Sequence, residues 1–334
     1  MTQVLIPLVL SDAAPPPGLV QHTLAGLSMG TSWSARVLAG AGAAATLRVA
    51  LQRELDQVVA QMSHWESDSD LSRYNDAPAG SWHALPDGLN TVLQYALEVA
   101  DDSAGAYNPC AGALVNLWGF GARKRYDHAG FQAPDADAVA ALVARADRAR
   151  VQIDVDGQRL LQPGGVQLDL SSVAKGYAVD RMAHCLDALG WHHYLVEAGG
   201  ELRGAGVKPD GQPWWVELEG VPGSGQAVAS RVALHGLAVA TSGDYRRYFD
   251  YGSTRAAHTL DPRTGRPVAN GVASVTVLHP HCMGADALST ALTVMGVERG
   301  LAYAEQRKLA ARFLLRQDGS IVERRSSAYA AMLA

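Results

Sequence analysis

Apolar positions recur at helical spacing over residues 44–63 and again from Leu89 to Ala100, where Gly105 closes the region, so both segments read as amphipathic helices. A polar loop with a basic tip, Arg123-Lys124-Arg125, follows, and an Ala/Asp-rich stretch from Asp135 to Arg150 reads as a further helix. From Val151 the pattern changes. Short β-type runs at Val151–Val155, Val166–Leu170, Tyr194–Val196, Trp214–Leu218 and Ala273–Leu278 alternate with two helices, over roughly 173–188 and 285–305. An earlier strand-like pattern begins at Ser34–Val37, after Pro15-Pro16-Pro17. Short strands without a regular strand-helix alternation predict an α+β fold rather than a doubly wound sheet. The expected organisation is a flexible lead-in over residues 1–21 and one domain of two intimate lobes over 22–334.

Composition narrows the function classes. The chain has 334 residues, 48% of them hydrophobic and 18% charged, enough for a sizeable core. Its net charge of -5 gives no footprint for nucleic acid or an anionic membrane. Cys110, Cys185 and Cys282 show neither an even count nor a Cys-x-x-Cys spacing, so neither a disulfide framework nor a zinc site is expected. No stretch approaches the ~20 apolar residues of a membrane-spanning helix.

Four constellations carry chemistry. In Val166-Gln-Leu-Asp169-Leu-Ser-Ser172-Val-Ala-Lys175-Gly-Tyr-Ala-Val-Asp180 a strand is expected to run into a helix, a junction that points free N–H groups and a dipole at an anion. There Lys175 can supply positive charge, Ser172 a hard oxygen and Asp169 an acceptor; the alternative is a Ser-capped core helix with Asp169 fixing the turn. Asp286 and Thr290 stand four apart at the start of the last long helix, one turn apart on one face, a hard-oxygen pair suited to Mg²⁺ unless Asp286 merely caps the helix. His258 lies beside the turn cluster Asp-Pro-Arg-Thr-Gly-Arg-Pro267, where imidazole can carry a proton or serve structure alone. Trp65 and Tyr107 can wall an isoalloxazine or adenine ring or serve simply as core aromatics, the reading preferred for Trp118. The cluster His279-Pro-His281-Cys282 lacks a second ligand group and reads as a loop after a strand.

Taken together and in order, Met29-Gly-Thr-Ser-Trp, Leu71-Ser-Arg-Tyr-Asn, Leu114-Val-Asn-Leu-Trp-Gly-Phe-Gly, Ala174-Lys-Gly-Tyr-Ala-Val-Asp, Glu197-Ala-Gly-Gly-Glu-Leu-Arg, Asp261-Pro-Arg-Thr-Gly-Arg-Pro and Ala285-Asp-Ala-Leu resemble the ApbE family of FAD:protein FMN transferases. The resemblance implies an α+β, ApbE-like protein related to duplicated T-fold units, with a ligand cleft near the junction of two lobes. It implies Mg²⁺-dependent transfer of FMN from FAD, the substrate, to a Thr or Ser hydroxyl of a target protein, with release of AMP. The flavin set it implies is Met29, Trp65, Ala106, Tyr107, Asn108, Asp169, Lys175 and Leu260, and the metal set is Ser172, Asp286 and Thr290. His258 or Asp286 would take the hydroxyl proton. The implied acceptor is a redox flavoprotein subunit bearing a Ser/Thr-Gly-Ala-Thr-like motif. The alternatives are an FAD pyrophosphatase and a non-catalytic FAD carrier or sensor.

Two departures from the family pattern stand out. Asn108-Pro-Cys-Ala occupies a place where members often carry an acidic residue followed by Thr and Val, so a carboxylate contact is lost or replaced by an amide. Many members are periplasmic or membrane-anchored lipoproteins, yet this N-terminus shows no lipidation Cys and no clear signal peptide, which leaves a cytoplasmic location open.

Overall fold

Eight strands form one antiparallel sheet and lie across it in chain order: β1 (Val20–Ser28), β2 (Thr31–Ala39), β3 (Tyr194–Ala198), β4 (Glu201–Ala205), β5 (Leu237–Gly243), β6 (Val272–His279), β7 (Ala310–Gln317) and β8 (Ser320–Arg325). The structure is a computed structural model and describes residues 3–9, 14–123, 125–222, 230–251 and 254–334; Lys124 of the basic tip and residues 1, 2 and 10–13 of the expected lead-in lie outside them. Four long helices accompany the sheet: α1 (Ala44–Met62), α2 (Asp87–Asp102), α3 (Ala174–Ala188) and α4 (Cys282–Gln306).

The order of elements is a duplication. The first half runs β1-β2, α1 and α3, β3-β4; the second runs β5-β6, α4, β7-β8, and the halves join where β4 pairs with β5 at Leu202↔Val239. Each half is thus a pair of hairpins bridged by helix, the α+β duplication that the resemblance implied. Apolar stripes of α1, α3 and α4 cover one face of the sheet, with Leu51, Leu55, Val179, Met182, Ala291 and Leu292 fully buried against Val37, Val196 and Val277. Two insertions, residues 63–173 between α1 and α3 and residues 244–271 between β5 and β6, stand apart from this repeat.

The opposite face is covered by a three-stranded sheet in which Gln3–Leu5 runs parallel to Ser230–Leu234, itself antiparallel to Trp214–Leu218. This corrects the expected lead-in. Leu5 is fully buried beside Trp214, Val232 and Tyr329, and Ile6 N donates to Met332 O at 2.8 Å. A three-residue strand is too short to declare its period in sequence, and its partners lie more than two hundred residues away.

Other boundaries moved for local reasons. Val166–Leu170 is not a strand: Asn75 takes the backbone of Leu168, donating to its O at 2.9 Å and accepting from its N at 2.7 Å, and Gln167 makes only an isolated bridge to Ala111. The stretch Asp135–Arg150 is helical only over Ala136–Val143, capped by Asp135, before a separate turn at Arg148–Arg150. The last helix starts three residues earlier than expected, at Cys282, and breaks at Gly296, whose φ of 77° and ψ of 175° belong to glycine. His279 ends β6 and His281 precedes α4, as expected of a strand followed by a loop. Among the described residues no helix is long and apolar enough to cross a membrane.

Candidate active site

Helices α3 and α4 meet at their N-terminal ends, and the contact is unusually close because it is made at Gly176. A Cβ there would stand 2.4 Å from the Cys282 carbonyl oxygen and 2.8 Å from Asp286 Cβ. The bare backbone lets Gly176 N–H donate to Asp286 Oδ2 at 3.0 Å. Asp180, one turn further along α3, accepts from Cys282 N and Met283 N at 2.9 Å each and from Arg203 Nη1 at 2.6 Å. Asp180 therefore caps α4 from outside, and Asp286, in the second turn, is free of that duty.

A cavity opens beside this junction, between the two insertions. Of the residues expected at the site, Ala106, Tyr107, Asn108, Asp169, Ser172, His258, Leu260 and Thr290 line it. Thr290 stands one helical turn beyond Asp286 on α4. Trp65 lines a second cavity that shares Asp169 and Val115 with the first. Lys175 and Asp286 belong to the helix junction, and Met29 forms the tip of the β1–β2 hairpin.

Met29 and Gly30 have φ of 51° and 71°, both in the left-handed region, so this two-residue turn matches the twist of the strands it joins. The hairpin leans on the next one: Gly199 N donates to Ser32 O at 3.2 Å, and a Cβ at Gly199 would lie 3.0 Å from Thr31 Cγ2 and 3.5 Å from Lys175 Cδ. The Gly199-Gly200 turn delivers Glu201 to Lys175, and the two form an ion pair. Lys175 is therefore a held charge.

Several expected residues have their polar atoms committed. Asn108 Nδ2 donates to Ala146 O at 2.7 Å and its Oδ1 accepts from Cys110 N at 2.9 Å, so the amide shapes the cavity wall. Asp169 uses Oδ1 on Ser171 N at 2.8 Å and on the Ser171 hydroxyl, which leaves Oδ2 for a ligand. The Tyr107 ring is buried in the core, and its hydroxyl accepts from Ser172 Oγ at 3.2 Å. Of the two expected ring walls, only Trp65, 45% exposed, is open for stacking. Trp118 is core, its Nε1–H donating to Gly265 O at 2.7 Å.

Electrostatics distinguish the titratable groups. Burial pushes the Asp286 carboxyl up, with Lys175 and the Gly176 N–H pulling against it. Burial likewise pushes Glu201 up to about 7 against the pull of Lys175, with Asp286 adding to the rise. Burial opposes the Lys175 ammonium, yet Glu201 and Asp286 hold its pKa above the usual range. Burial and then the Arg247 charge push His258 down to about 4. Its Nδ1 faces Arg247 O at 3.2 Å, so the neutral ring carries its proton there and leaves Nε2 bare.

Four residues of this site escaped the sequence reading. Glu201 stood inside a quoted block without a role, and nothing in sequence ties it to Lys175. Arg247 lines the first cavity, donates to Phe120 O at 2.8 Å and lies 6.0 Å from the Trp65 ring. His64 lines the second, with Nδ1 3.4 Å from Ser171 Oγ. Asp180 closed a quoted motif, but its partners on α4 are a hundred residues away. The described residues contain no cluster of three or more His, Cys, Asp or Glu suited to a metal. The oxygen set Ser172, Asp286 and Thr290 nevertheless suits a hard cation: a buried carboxylate with only its Oδ2 taken, by the Gly176 N–H, stands one turn from a hydroxyl at the cavity wall. A buried Glu201 oxygen with no hydrogen-bond partner lies in the same charge cluster.

Comparison with known proteins agrees over nearly the whole length. A family model described as the ApbE family matches residues 29–313. The FAD:protein FMN transferase of Vibrio cholerae is 37% identical over 312 residues, 92% of each chain, and that of Haemophilus influenzae is 35% identical over 315 residues, 92% of this chain and 90% of the other. The apo structure of Pseudomonas stutzeri flavinyl transferase ApbE superposes with a TM-score of 0.86 at 38% identity, covering 94% of this chain and 97% of that one.

Proposed function

Because the chain belongs to the ApbE family, we propose that it is an FAD:protein FMN transferase, moving the FMN half of FAD onto a Thr or Ser hydroxyl of another protein with release of AMP. The observation that carries this reading is the cavity wall. It places a bare imidazole nitrogen, two hydroxyls and an acceptor carboxylate around one space beside a buried acid and a held ammonium.

In this reading Lys175 and Arg247 bind the pyrophosphate as fixed positive charges. Trp65 and Leu260 bracket a ring, and Asp169 Oδ2 accepts from a ribose hydroxyl or ring N–H. The acceptor hydroxyl oxygen attacks the FMN-side phosphorus, the bond from that phosphorus to the bridging oxygen breaks, and AMP leaves with that oxygen. The hydroxyl proton passes to His258 Nε2. Burial and the Arg247 charge keep this imidazole neutral, and the negative charge of the pyrophosphate raises its basicity by offsetting the Arg247 and Lys175 charges. Asp286, committed to Gly176 N–H and set back in the helix junction, is kept for the cation with Ser172 and Thr290. A Mg²⁺ ion bound by these three residues would supply Lewis-acid chemistry and charge neutralisation at the phosphates.

The test is the intact mass of an acceptor domain carrying a Ser/Thr-Gly-Ala-Thr-like motif, incubated with this protein, FAD and Mg²⁺, beside an Asp286→Ala control. A covalent FMN increment that requires both metal and Asp286 supports the reading. Free FMN and AMP with unmodified acceptor would make the chain a pyrophosphatase, and intact FAD would make it a carrier.

A further inference from the structure

Glu201 has no role in the chemistry above, yet its side chain is only 5% exposed and stands among the charges of Lys175 and Asp286. One carboxylate oxygen takes the Lys175 ammonium, and the other, Oε2, is buried with no hydrogen-bond partner. An ordinary structural ion pair has no need of this placement. Lys175 is one-third exposed and could be solvated by water, and a half-satisfied buried carboxylate is costly.

The neighbours give the reason. Gly176, the next residue along α3, donates its N–H directly to Asp286, and Asp286 is the second carboxylate whose charge acts on Lys175. Without Glu201 the ammonium's nearest compensation is the carboxylate reserved for a cation. We infer that Glu201 is the positioning residue of the site: by holding Lys175 it keeps that ammonium off Asp286, so that one helix end can present a fixed positive charge and a free anionic ligand side by side. This inference rests on the proposed function, since it assigns Asp286 to a divalent ion. The geometry of the turn supports it. Gly199 and Gly200, with φ of 64° and 102°, make the tight hairpin that brings Glu201 to the end of α3, and Arg246 closes the turn from outside, donating to Gly199 O at 3.3 Å and to Glu219 at 2.8 Å. Glu201 is thereby fixed by backbone, whereas Lys175 brings a flexible stem.

The probe is Mn²⁺ on the full-length chain, with free ion counted by its EPR signal, with and without FAD, and with FMN transfer measured in parallel. Glu201→Gln removes the charge and keeps the shape, and Mn²⁺ affinity is expected to fall by about tenfold or more as the released ammonium turns to Asp286. Lys175→Met in the Glu201→Gln background removes the competitor, so Mn²⁺ affinity returns to within about threefold of wild type while transfer stays lost. A Glu201→Gln variant that binds Mn²⁺ like wild type overturns the inference, as does a double variant that stays as weak as the single one. If Glu201→Gln does not fold, Lys175→Met alone decides: binding at least as tight as wild type supports the inference, and weaker binding overturns it. Wild type that transfers FMN and binds Mn²⁺ leaves the functional reading standing whatever the variants do; wild type that does neither removes both.

Discussion

Gly176→Ala sets helix propensity directly against packing. Inside an exposed helix the change stabilises by about 1 kcal/mol, because alanine is the better helix former. At this position the added methyl would sit 2.4 Å from the Cys282 oxygen and 2.7 Å from its carbonyl carbon, both backbone atoms, so no side chain can swing aside. Helices α3 and α4 must separate, and the separation stretches the 3.0 Å bond from Gly176 N to Asp286 Oδ2. Overpacking a tight contact costs roughly 1–3 kcal/mol. Loss of a hydrogen bond to a charged group costs about 1.5–3 kcal/mol. Set against the gain in propensity, the variant is expected to be less stable by about 2–5 kcal/mol. With an unfolding entropy of about 2.1 cal/mol/K per residue, a change of 1 kcal/mol moves Tm by roughly 1.4 °C in a chain of 334 residues, so a drop of about 3–7 °C is expected. Calorimetry and urea titration measure it, and Mn²⁺ binding should weaken in the same variant because Asp286 moves with α4. A Gly176→Ala protein at least as stable as wild type would refute the reasoning, since it would mean that the helices part without cost.

Asn108→Asp turns a carboxylate towards the Ala146 carbonyl that Nδ2 now serves at 2.7 Å; thermal unfolding should show a loss of about 1–3 kcal/mol. Asp180→Asn leaves Arg203, which is largely buried, without its counter-charge and weakens the cap on α4, so urea unfolding should show a loss of about 3–5 kcal/mol. His258 is pushed from 6.5 down to about 4, so below pH 6.5 the unfolded chain binds a proton that the folded chain refuses. The resulting stability is present above pH 6.5 and lost as pH falls towards 4. A His258→Asn variant should therefore show a flatter decline in Tm across that window, by the equivalent of roughly 1–3 kcal/mol.

What could be read in the sequence was what is local. The i,i+4 pair Asp286 and Thr290 needs only a helix to share a face, and the run from Ser172 to Lys175 needs only a helix start. The long helices near 44–63 and 173–188 declared themselves by period, because one stripe of each meets the core. What could not be read depends on distant chain. The Gln3–Leu5 strand is defined by Ser230–Val232, the backbone of Leu168 by Asn75, and the pairing of Lys175 by a glutamate 26 residues on. Tyr107 was noted as a ring, but the atom that reaches the site is its hydroxyl, a distinction set by which side of the ring the core covers.

The duplication explains why so much of the site lies at one joint. Each half of the sheet is complete without the other, so the halves could associate through β4 and β5 alone and leave their helices free to settle at a range of angles. Three features remove that freedom: the missing side chain at Gly176, the hydrogen bond it permits to Asp286, and the Asp180 carboxylate that takes the first N–H groups of α4. Ser172, Lys175 and Glu201 belong to the first half, and His258, Asp286 and Thr290 to the second. The placement of Ser172 and Lys175 against Asp286 and Thr290 is therefore measured through the α3–α4 contact, while Arg247 on Phe120 O and Trp118 on Gly265 O tie the two insertions directly. A shift of 1 Å there would misplace the hydroxyl of Thr290 relative to Ser172 as surely as a change at either residue, and small misplacements of reacting groups are costly to rate. The joint that stabilises the fold is thus also the part that sets the geometry of the site. Gly176, which touches no substrate in this reading, is expected to be as intolerant of substitution as the residues that do.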